Sequence, residues 1–347
     1  MSATVPPPAA LVDAVGFVML AALAVYALTG GADFGAGLWD RIAFGPRKDA
    51  QRSLIESALA PIWETNHVWL VFVVVLLFSA FPKAFAAIGT GLTVPLSGAL
   101  VGIVLRGAGF VFRQYGAGSQ SDARSWGRIF GGASLLAPFC LGLCLAAISG
   151  GALHVDAAGN VVAPVSAWWG LFPAAVGLFV VALFGFLAAV YLALEASSRP
   201  REGGALANDF RARALVTGAL AGLLSLVVRQ AAGAANPRLA DALFHSGAAR
   251  LVQIGVALIA IAALLALYGR RYRIARALVV LQVVAVVAGW GVAQYPFVVA
   301  PDLTFVAAAA PAATLEVVLG GVGAGTLVLV PLLYWLFRVF KAERAAG

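Results

Sequence analysis

Residues 60–81 have the sequence APIWETNHVWLVFVVVLLFSAF, in which a polar segment, Glu64–His67, precedes 14 residues without a charge. An apolar run of about 20 residues is long enough to cross the hydrocarbon core of a bilayer, which is about 30 Å thick. An ionisable side chain inside that core is costly, and it is therefore a functional candidate by default. This stretch predicts a membrane-spanning helix and places a candidate site on it.

Runs of the same kind recur along the whole chain and define its fold class. The 347 residues are 62% hydrophobic and 11% charged, whereas soluble domains have about 45–50% apolar and about 25% charged residues. We predict an all-α integral membrane protein that forms one polytopic domain over residues 1–347. The predicted spans cover about residues 11–32, 55–81, 84–105, 129–150, 167–195, 213–232, 250–268, 275–296 and 313–338.

The basic residues give an independent test of the number of spans. Of the 23 Lys and Arg residues, 19 lie in every second connection or in the C-terminal tail, and basic residues collect on the cytoplasmic side of a membrane protein. The other connections and their flanking helix ends hold only Lys83, Arg229, Arg238 and Arg250. This alternation predicts nine spans, with the N-terminus outside and the C-terminus in the cytoplasm. The net charge of +8 is then a topology signal and does not indicate nucleic-acid binding.

Glu64 and His67 are the ionisable side chains of the polar segment. They are three residues apart and share one face of a helix, with Trp63 and Asn66 beside them. Counted from a helix start near Leu54, Glu64 lies about 15 Å deep at 1.5 Å per residue, close to the midplane of the core. Two interpretations stay open. The polar residues can hydrogen-bond neighbouring helices and fix their packing, or Glu64 can gain and lose a proton in turn and act as a relay.

Two more acids lie near the predicted cytoplasmic ends of the first two spans. Asp33 belongs to Gly30–Gly37, a segment whose four glycines predict a close helix–helix contact. Glu56 lies at the start of the second span. We expect either that Asp33, Glu56 and Glu64 form a proton path from the inner face, or that Asp33 and Glu56 pair with loop arginines such as Arg52.

Arg106 and Trp69 complete the candidate site as supporting residues, together with Trp63 and Asn66. Arg106 lies near the inner end of the third predicted span. Its long side chain can extend to the interface or pair with an intramembrane acid, and the sequence leaves both open. Trp69 lies on the same predicted helix as Glu64, five residues further on.

The supply of ligands argues against haem binding within this chain. Axial haem ligands are usually His, Met, Cys or Tyr, and the chain has three histidines and two methionines. His154 and His245 lie in predicted outer loops beside Asp156 and Asp241, which leaves His67 as the histidine within a span. We therefore expect no cofactor and no metal ion to be bound by this chain.

These motifs resemble subunit II of the cytochrome bd-type quinol oxidases, in register from the first span to the ninth. The end of helix 1 in that family typically has the pattern Asp-Gly-Phe-Asp-Leu-Gly-Val-Gly, to which Gly30–Gly37 is similar. Helix 2 typically has Pro-x-Trp-Asp-Gly-Asn-Glu-Val-Trp-Leu, which Pro61–Leu70 resembles. Further similar segments are Phe78–Pro82, Arg106–Arg113, Phe210–Ala214 and Tyr295–Phe297.

The resemblance implies two four-helix bundles plus one peripheral helix, in a bacterial cytoplasmic membrane. It implies a partner, subunit I, which holds haems b and d, oxidises quinol and reduces dioxygen to water. Subunit II of the family is thought to supply cytoplasmic protons through the acid of its helix 2 motif, a role that falls on Glu64 here. The resemblance further suggests small single-helix subunits as partners and a structural quinone or lipid within the bundle.

The chain departs from the family pattern in ways that indicate a somewhat divergent member. Gly30 stands where the family has its first aspartate, so the role of that acid is lost or moved. Glu64 replaces Asp, which keeps the carboxyl group and lengthens its reach. Thr65 and His67 replace the usual Gly and Glu or Gln, and an imidazole at 67 can share a proton with Glu64.

The alternative function is a proton-coupled secondary transporter that uses Glu64 and Asp33, and a purely structural scaffold is a third interpretation. Transporters often have broken helices at matched positions of two halves. The polar segment of the second span has no counterpart in the sixth, which favours the oxidase subunit.

Overall fold

The computed structural model describes residues 6–59, 63–115, 120–156, 158–199 and 203–346. Most of them are helical, and two small β-hairpins lie in the connections. The helices are α1 (Ala9–Arg41), α2 (Lys48–Leu59), α3 (Trp63–Ala80), α4 (Pro82–Gly91), α5 (Thr93–Tyr115), α6 (Gln120–Ser149), α7 (Val165–Trp168), α8 (Leu171–Ser197), α9 (Gly203–Ala235), α10 (Pro237–Ala240), α11 (Gly247–Tyr268), α12 (Tyr272–Gln294), α13 (Phe305–Ala308) and α14 (Ala312–Ala346). A one-turn π-helix, Asp241–His245, follows α10, and the strands are β1 (His154–Val155), β2 (Val161–Val162), β3 (Phe297–Val299) and β4 (Leu303–Thr304).

The long apolar helices make this a multi-pass membrane protein. In the described part of the chain, seven segments are long and apolar enough to span a bilayer, and the bent pair of α3 and α4 would make an eighth. The first part of α14, Ala312–Val328, is a shorter apolar stretch. Large apolar side chains point outward from these helices, among them Leu327 at 77% exposure, as contact with lipid requires. The count of nine spans and the orientation of the termini stay predictions.

The segment predicted as one span over residues 84–105 is divided in the structure. α4 is bent by 117° relative to α3, and a new helix, α5, begins at Thr93. Pro82 occupies the first turn of α4, where its missing N–H is tolerated, but it cannot continue α3. Because α5 runs on to Tyr115, Arg106 lies nine residues before its end and not at the inner end of a span.

Several other helices extend beyond the predicted apolar runs. α1 continues to Arg41, α6 begins at Gln120 and α9 begins at Gly203. Hydropathy detects only the apolar part of a helix, whereas the extensions carry charged residues. Asp40 of α1 bonds Arg113 of α5, and Asp209 of α9 bonds Arg47 in the connection between α1 and α2. The span predicted for residues 167–195 begins as α7 and continues, after a break at Trp169 and Gly170, as α8.

α1 lies at the centre of the fold, packed against α8, α6 and α3. It approaches α8 so closely that a Cβ atom at Gly35 would overlap the carbonyl oxygen of Phe184. Two residues further along α1, a Cβ atom at Gly37 would overlap the side chain of Ser134 of α6. The indole N–H of Trp39 donates to the carbonyl oxygen of Gly185 at 2.8 Å. The close contact predicted for the glycine segment of α1 is therefore confirmed.

The two hairpins are joined at the face predicted to be outside. β1 pairs with β2 and β3 pairs with β4, both antiparallel. His154 Nδ1 lies 2.8 Å from Asp302 Oδ2, which links the first hairpin to the second. Asp156, the neighbour expected for His154, instead accepts a hydrogen bond from Asn160 Nδ2 at 2.8 Å. His154 is thus part of a surface contact, far along the chain from the candidate site.

Candidate functional site

The centre of the candidate site is an ion pair between Asp33 of α1 and Arg106 of α5. Arg106 Nη2 donates to Asp33 Oδ1 at 2.5 Å and to the Asp33 carbonyl oxygen at 3.3 Å. The side chains are 1% and 0% exposed, respectively. Taking a single charge out of water costs several kcal/mol, so two buried charges are tolerated because they face each other. Of the two arrangements left open by the sequence, Arg106 adopts the pairing with an intramembrane acid.

Aromatic rings and a hydroxyl group surround the Arg106 guanidinium. Its central carbon lies 5.3 Å from the ring centroid of Phe34 and 4.9 Å from that of Phe130, within the range of cation–π attraction. Nε donates to Ser134 Oγ at 3.1 Å, and Ser134 donates to the carbonyl oxygen of Phe130 at 2.7 Å. Nη1 is buried and has no hydrogen-bond partner among the described residues. The surroundings hold Arg106 in one position.

A second ion pair repeats the first one two helical turns further along. Arg113 Nη1 donates to Asp40 Oδ2 at 2.7 Å. Asp33 and Asp40 are seven residues apart, and so are Arg106 and Arg113. Seven residues make nearly two turns of an α-helix, so α1 and α5 run parallel and present two successive pairs to each other. We call this arrangement the ion-pair ladder.

Glu56 of α2 lies at the outer edge of the ladder, where it meets water. Arg113 Nη2 is 3.0 Å from Glu56 Oε1, and the Glu56 side chain is 52% exposed. Exposure falls to 2% at Asp40 and to 0% at Asp33. Arg52, the pairing partner considered from the sequence, approaches Asp40 instead, with its Nε at 3.8 Å from Oδ1. Three carboxylates thus lead from the surface into the apolar interior, and each is close to a guanidinium.

His67 and Tyr26 extend the polar surroundings of the buried pair. Both lie near enough for the charges of Asp33 and Arg106 to act on them. The Tyr26 ring covers Gly30, since a Cβ atom at that position would lie 3.0 Å from it. The Tyr26 hydroxyl is buried and has no hydrogen-bond partner within the described part of the chain. The site therefore includes a hydroxyl group that no sequence motif marks as a candidate.

The remaining residues of the candidate site belong to the first two turns of α3. The side chains of Trp63, Glu64 and Asn66 lie outside the described residues. Trp69 is partly buried, and its ring meets Phe72 edge-on at 6.4 Å between centroids. Trp69 therefore contributes to packing within α3.

The depth of Glu64 in the membrane stays a prediction. Glu64 lies one residue after the start of α3 at Trp63 and 16 residues before its end at Ala80, a distance of about 24 Å along the helix axis at 1.5 Å per residue. The count that placed Glu64 near the midplane began at Leu54 and assumed one helix through residues 60–62, which lie outside the described residues.

A second polar network, which the sequence analysis missed, joins α2 to α9. Arg213 Nη2 donates to Gln51 Oε1 at 2.7 Å, and Gln51 Nε2 donates to Asp209 Oδ2 at 3.2 Å. Arg47 binds the same carboxylate through Nε at 2.9 Å and Nη2 at 2.6 Å. Arg213 is buried, with rings of Trp39, Phe44 and Phe210 at 5.0 to 5.4 Å. The network attaches α2 to the N-terminal part of α9.

Asp40 is the ladder residue that the sequence analysis passed over. It was placed outside the first apolar run and was not weighed as a candidate. A usable signal existed, because the acids on α1 and the arginines on α5 have the same spacing of seven residues. The positions of Gln51 and Arg213 show no comparable repeat in the sequence. Their pairing depends on the three-dimensional packing of α2 on α9.

No group of three or more His, Cys, Asp or Glu side chains suited to a metal ion occurs among the described residues. His67 and His154 lie on different elements, and the side chain of His245 lies outside the described residues. The expectation that the chain binds no metal or haem of its own stays a prediction.

Comparison with known protein families matches the chain almost from end to end. The family model for cytochrome bd terminal oxidase subunit II covers residues 11–340. The chain belongs to this family. The resemblance inferred from the motifs of α1 and α3 is thereby confirmed.

Individual relatives of the subunit II family are similar over shorter stretches. Cytochrome bd ubiquinol oxidase subunit 2 of Bacillus subtilis is 31% identical over 157 residues, which is 43% of this chain and 44% of that protein. Cytochrome bd-I ubiquinol oxidase subunit 2 of Escherichia coli is 35% identical over 88 residues, 25% of this chain and 23% of that protein. The chain thus aligns with less than half the length of these curated relatives.

The fold is that of a solved bd oxidase. A chain in the structure of the bd oxidase from Geobacillus thermodenitrificans superposes with a TM-score of 0.74 and 24% identity, over 95% of this chain and 98% of that one. The predicted fold class, a helical membrane protein of the bd oxidase type, is confirmed.

Proposed function

We propose that this chain is the haem-free second subunit of a membrane quinol oxidase, which supports a haem-bearing subunit I in reducing dioxygen to water. The observation that carries the proposal is the match to the subunit II family over residues 11–340. Haems b and d belong to the partner, as do quinol oxidation and oxygen binding. The chain is then part of an enzyme without being catalytic alone.

Its own chemical contribution is the supply of protons from the cytoplasm, with Glu64 as the relay residue. Reduction of dioxygen to water consumes protons, and the partner's haems lie within an apolar core that water enters poorly. Glu64 lies in the segment of α3 that matches the family motif, and a carboxyl group there can gain and lose a proton in turn. His67, three residues later, shares its helix face.

The ion-pair ladder supports an entry route from the inner face. Exposure of the carboxylates falls from Glu56 through Asp40 to Asp33, so a series of carboxylates continues from the exposed side of α2 to the buried part of α1. Arg113 touches both Glu56 and Asp40, and Arg106 closes the series at Asp33. The arginines keep the carboxylates in place and balance their charge, which lowers the free-energy cost of placing these groups in apolar surroundings.

Replacing Glu64 by Gln tests the relay in the purified two-subunit complex. The amide keeps the shape and removes the exchangeable proton, so quinol-dependent oxygen consumption should fall by about tenfold to a hundredfold. Haem absorbance and subunit ratio should stay at wild-type values. Glu195→Gln is the matched control, because Glu195 lies exposed at the end of α8 and its change should leave turnover unaltered.

The same experiment can contradict the relay. If Glu64→Gln turns over like the wild type with normal haem content, Glu64 is a packing residue and the relay is lost. Glu64→Asp separates the remaining cases, since a shorter carboxyl, as the family typically has, should recover much of the turnover. The enzyme assignment is tested separately by haem absorbance in the purified complex.

The complex is expected in a bacterial cytoplasmic membrane, with the N-terminus outside. Small single-helix subunits and a structural quinone or lipid in the bundle are further expectations from the resemblance. The proton-coupled transporter considered from the sequence has no support, since the family and the relatives named above are oxidase subunits.

A further inference from the structure

Four arginines crowd the turn between α11 and α12. Arg270 and Arg271 form the turn, and Arg273 and Arg276 lie in the first five residues of α12; all four are exposed. We call this group the arginine corner. The sequence has no Asp or Glu between Asp241 and Asp302, so the helical hairpin contains no acid to pair with them. None of the four comes within salt-bridge distance of a carboxylate in the described part of the chain.

The chain's own structure disfavours this concentration of charge. The N-terminus of a helix carries the positive end of its dipole, which repels cations, and the first turn of α12 contains no acidic residue. Arg270 also adopts a φ of 57°, a left-handed conformation that glycine takes easily and arginine does not. The neighbouring Gly269 is not used for it, as its φ is −75°. The described residues of the chain thus offer the corner no carboxylate partner, and an anion from outside the chain would offset this repulsion.

Two apolar stripes lead from the membrane interior to the arginine corner. On α11 the exposed side chains nearest the corner include Leu258, Ile261, Leu265 and Tyr268, with spacings of three and four residues and exposures of 53% to 75%. On α12 they include Ile274 and Leu281, seven residues apart and 49% and 50% exposed. The opposite side of α12 is buried in the core through Ala275, Val279 and Val283. The exposed surface is therefore apolar along its length and strongly basic at one end.

We propose that the arginine corner binds the headgroup of an anionic phospholipid, whose acyl chains lie along the stripes of α11 and α12. A phosphate matches the geometry of a guanidinium pair, and basic groups just beyond a membrane helix attract anionic lipids. An acidic protein or a nucleic acid could bind the arginines but would not cover the apolar stripes. Of the three, only a lipid has an apolar part continuous with its phosphate. Arg211 fixes the corner against α9 by donating to the carbonyl oxygen of Tyr268 at 3.1 Å.

Retention of lipid by the purified two-subunit complex tests the proposal. The complex is equilibrated with phosphatidylcholine nanodiscs that contain a minor fraction of phosphatidylglycerol or cardiolipin, and retained lipid is counted by native mass spectrometry. The wild type should retain anionic lipid in preference to phosphatidylcholine. The double variant Arg273→Gln/Arg276→Gln should lower that preference by about tenfold or more.

The matched control removes two charges elsewhere on the face predicted to be cytoplasmic. Lys48→Gln/Arg128→Gln changes two exposed basic residues of α2 and α6 and should leave the preference unchanged. Equal losses in both double variants would overturn the site, since long-range charge would then account for the binding. A wild type that retains both lipid classes alike would overturn it too.

A third variant separates binding from folding. Arg270→Gly relieves the left-handed conformation, so the complex should unfold at a higher temperature than the wild type, while its preference for anionic lipid should fall. A rise in thermal stability with unchanged lipid preference would exclude Arg270 from the site. A fall in both thermal stability and lipid preference would show that Arg270 acts on the fold, and the proposal would fail for that residue.

Discussion

Arg106 and Arg213 are both buried among aromatic rings, yet they are held in different ways. Arg106 donates directly to the Asp33 carboxylate. Arg213 donates to the side-chain carbonyl oxygen of Gln51, and only the amide of Gln51 reaches a carboxylate, that of Asp209. Asp209 in turn is bound by two nitrogen atoms of Arg47. Arg106 thus has a counter-charge of its own, whereas Arg213 shares the charge of Asp209 with Arg47 and reaches it only through Gln51.

The difference follows from the distance of each arginine to water. Arg106 lies in the middle of α5 and is 1% exposed, where an uncompensated charge would cost several kcal/mol. Arg213 is 9% exposed and belongs to the network of Arg47, whose side chain is 40% exposed. Nearer to water, screening lets a neutral amide mediate between two charges. The comparison predicts that the two networks respond differently when one member is removed.

The largest effect is expected for Arg106→Leu. It leaves the Asp33 carboxylate buried with its principal partner gone, which should lower the free energy of unfolding by about 3–5 kcal/mol. Little folded complex should then be recovered, as measured by the monodisperse fraction in size-exclusion chromatography. The double variant Asp33→Asn/Arg106→Leu removes both charges and should recover a large part of that fraction. A double variant that is as poorly folded as Arg106→Leu would show that packing around the guanidinium matters more than charge.

An intermediate effect is expected for Arg213→Met. The change removes one charge-assisted hydrogen bond to Gln51, worth about 1.5–3 kcal/mol, but it leaves no carboxylate alone, since Asp209 keeps both contacts with Arg47. The lowering of the thermal midpoint should be smaller than for Arg106→Leu. Gln51→Met and the double variant complete a thermodynamic cycle, whose coupling energy should lie below that of Asp33 and Arg106. A larger coupling for Gln51 and Arg213 would contradict the comparison.

Much of the fold could be predicted from the sequence because a bilayer imposes simple rules. Apolar runs locate the helices, and the glycines of α1 indicate its close contact with α8. The division of the span predicted at residues 84–105 into α4 and α5 was missed, because the composition stays largely apolar through the break at Leu92. A window that averages hydropathy cannot see a change of direction within an apolar stretch.

The candidate site was predictable in its residues and less so in its pairs. Asp33, Arg106 and Glu56 were selected because charges near a membrane core are costly. Their partners depend on which helices lie side by side, and neither α1 with α5 nor α2 with α9 is adjacent along the chain. Only the shared spacing of seven residues could have paired the ladder from sequence, and it would also have found Asp40.

The smallest effect is expected where one acid meets two arginines. Asp40 is bound by Arg113 Nη1 at 2.7 Å and approached by Arg52 Nε at 3.8 Å. The Arg52 side chain is 32% exposed, so its contribution is screened by water and salt, and Arg52→Gln should change the free energy of unfolding by about 0–1 kcal/mol. Arg113→Gln should cost more, about 1.5–3 kcal/mol, because it also frees Glu56. Thermal unfolding of both variants at low and high salt measures the two losses of stability. The loss caused by Arg52→Gln should be larger at low salt than at high salt. If Arg52→Gln proved the more damaging change, Arg52 of α2 and not Arg113 of α5 would be the principal partner of Asp40.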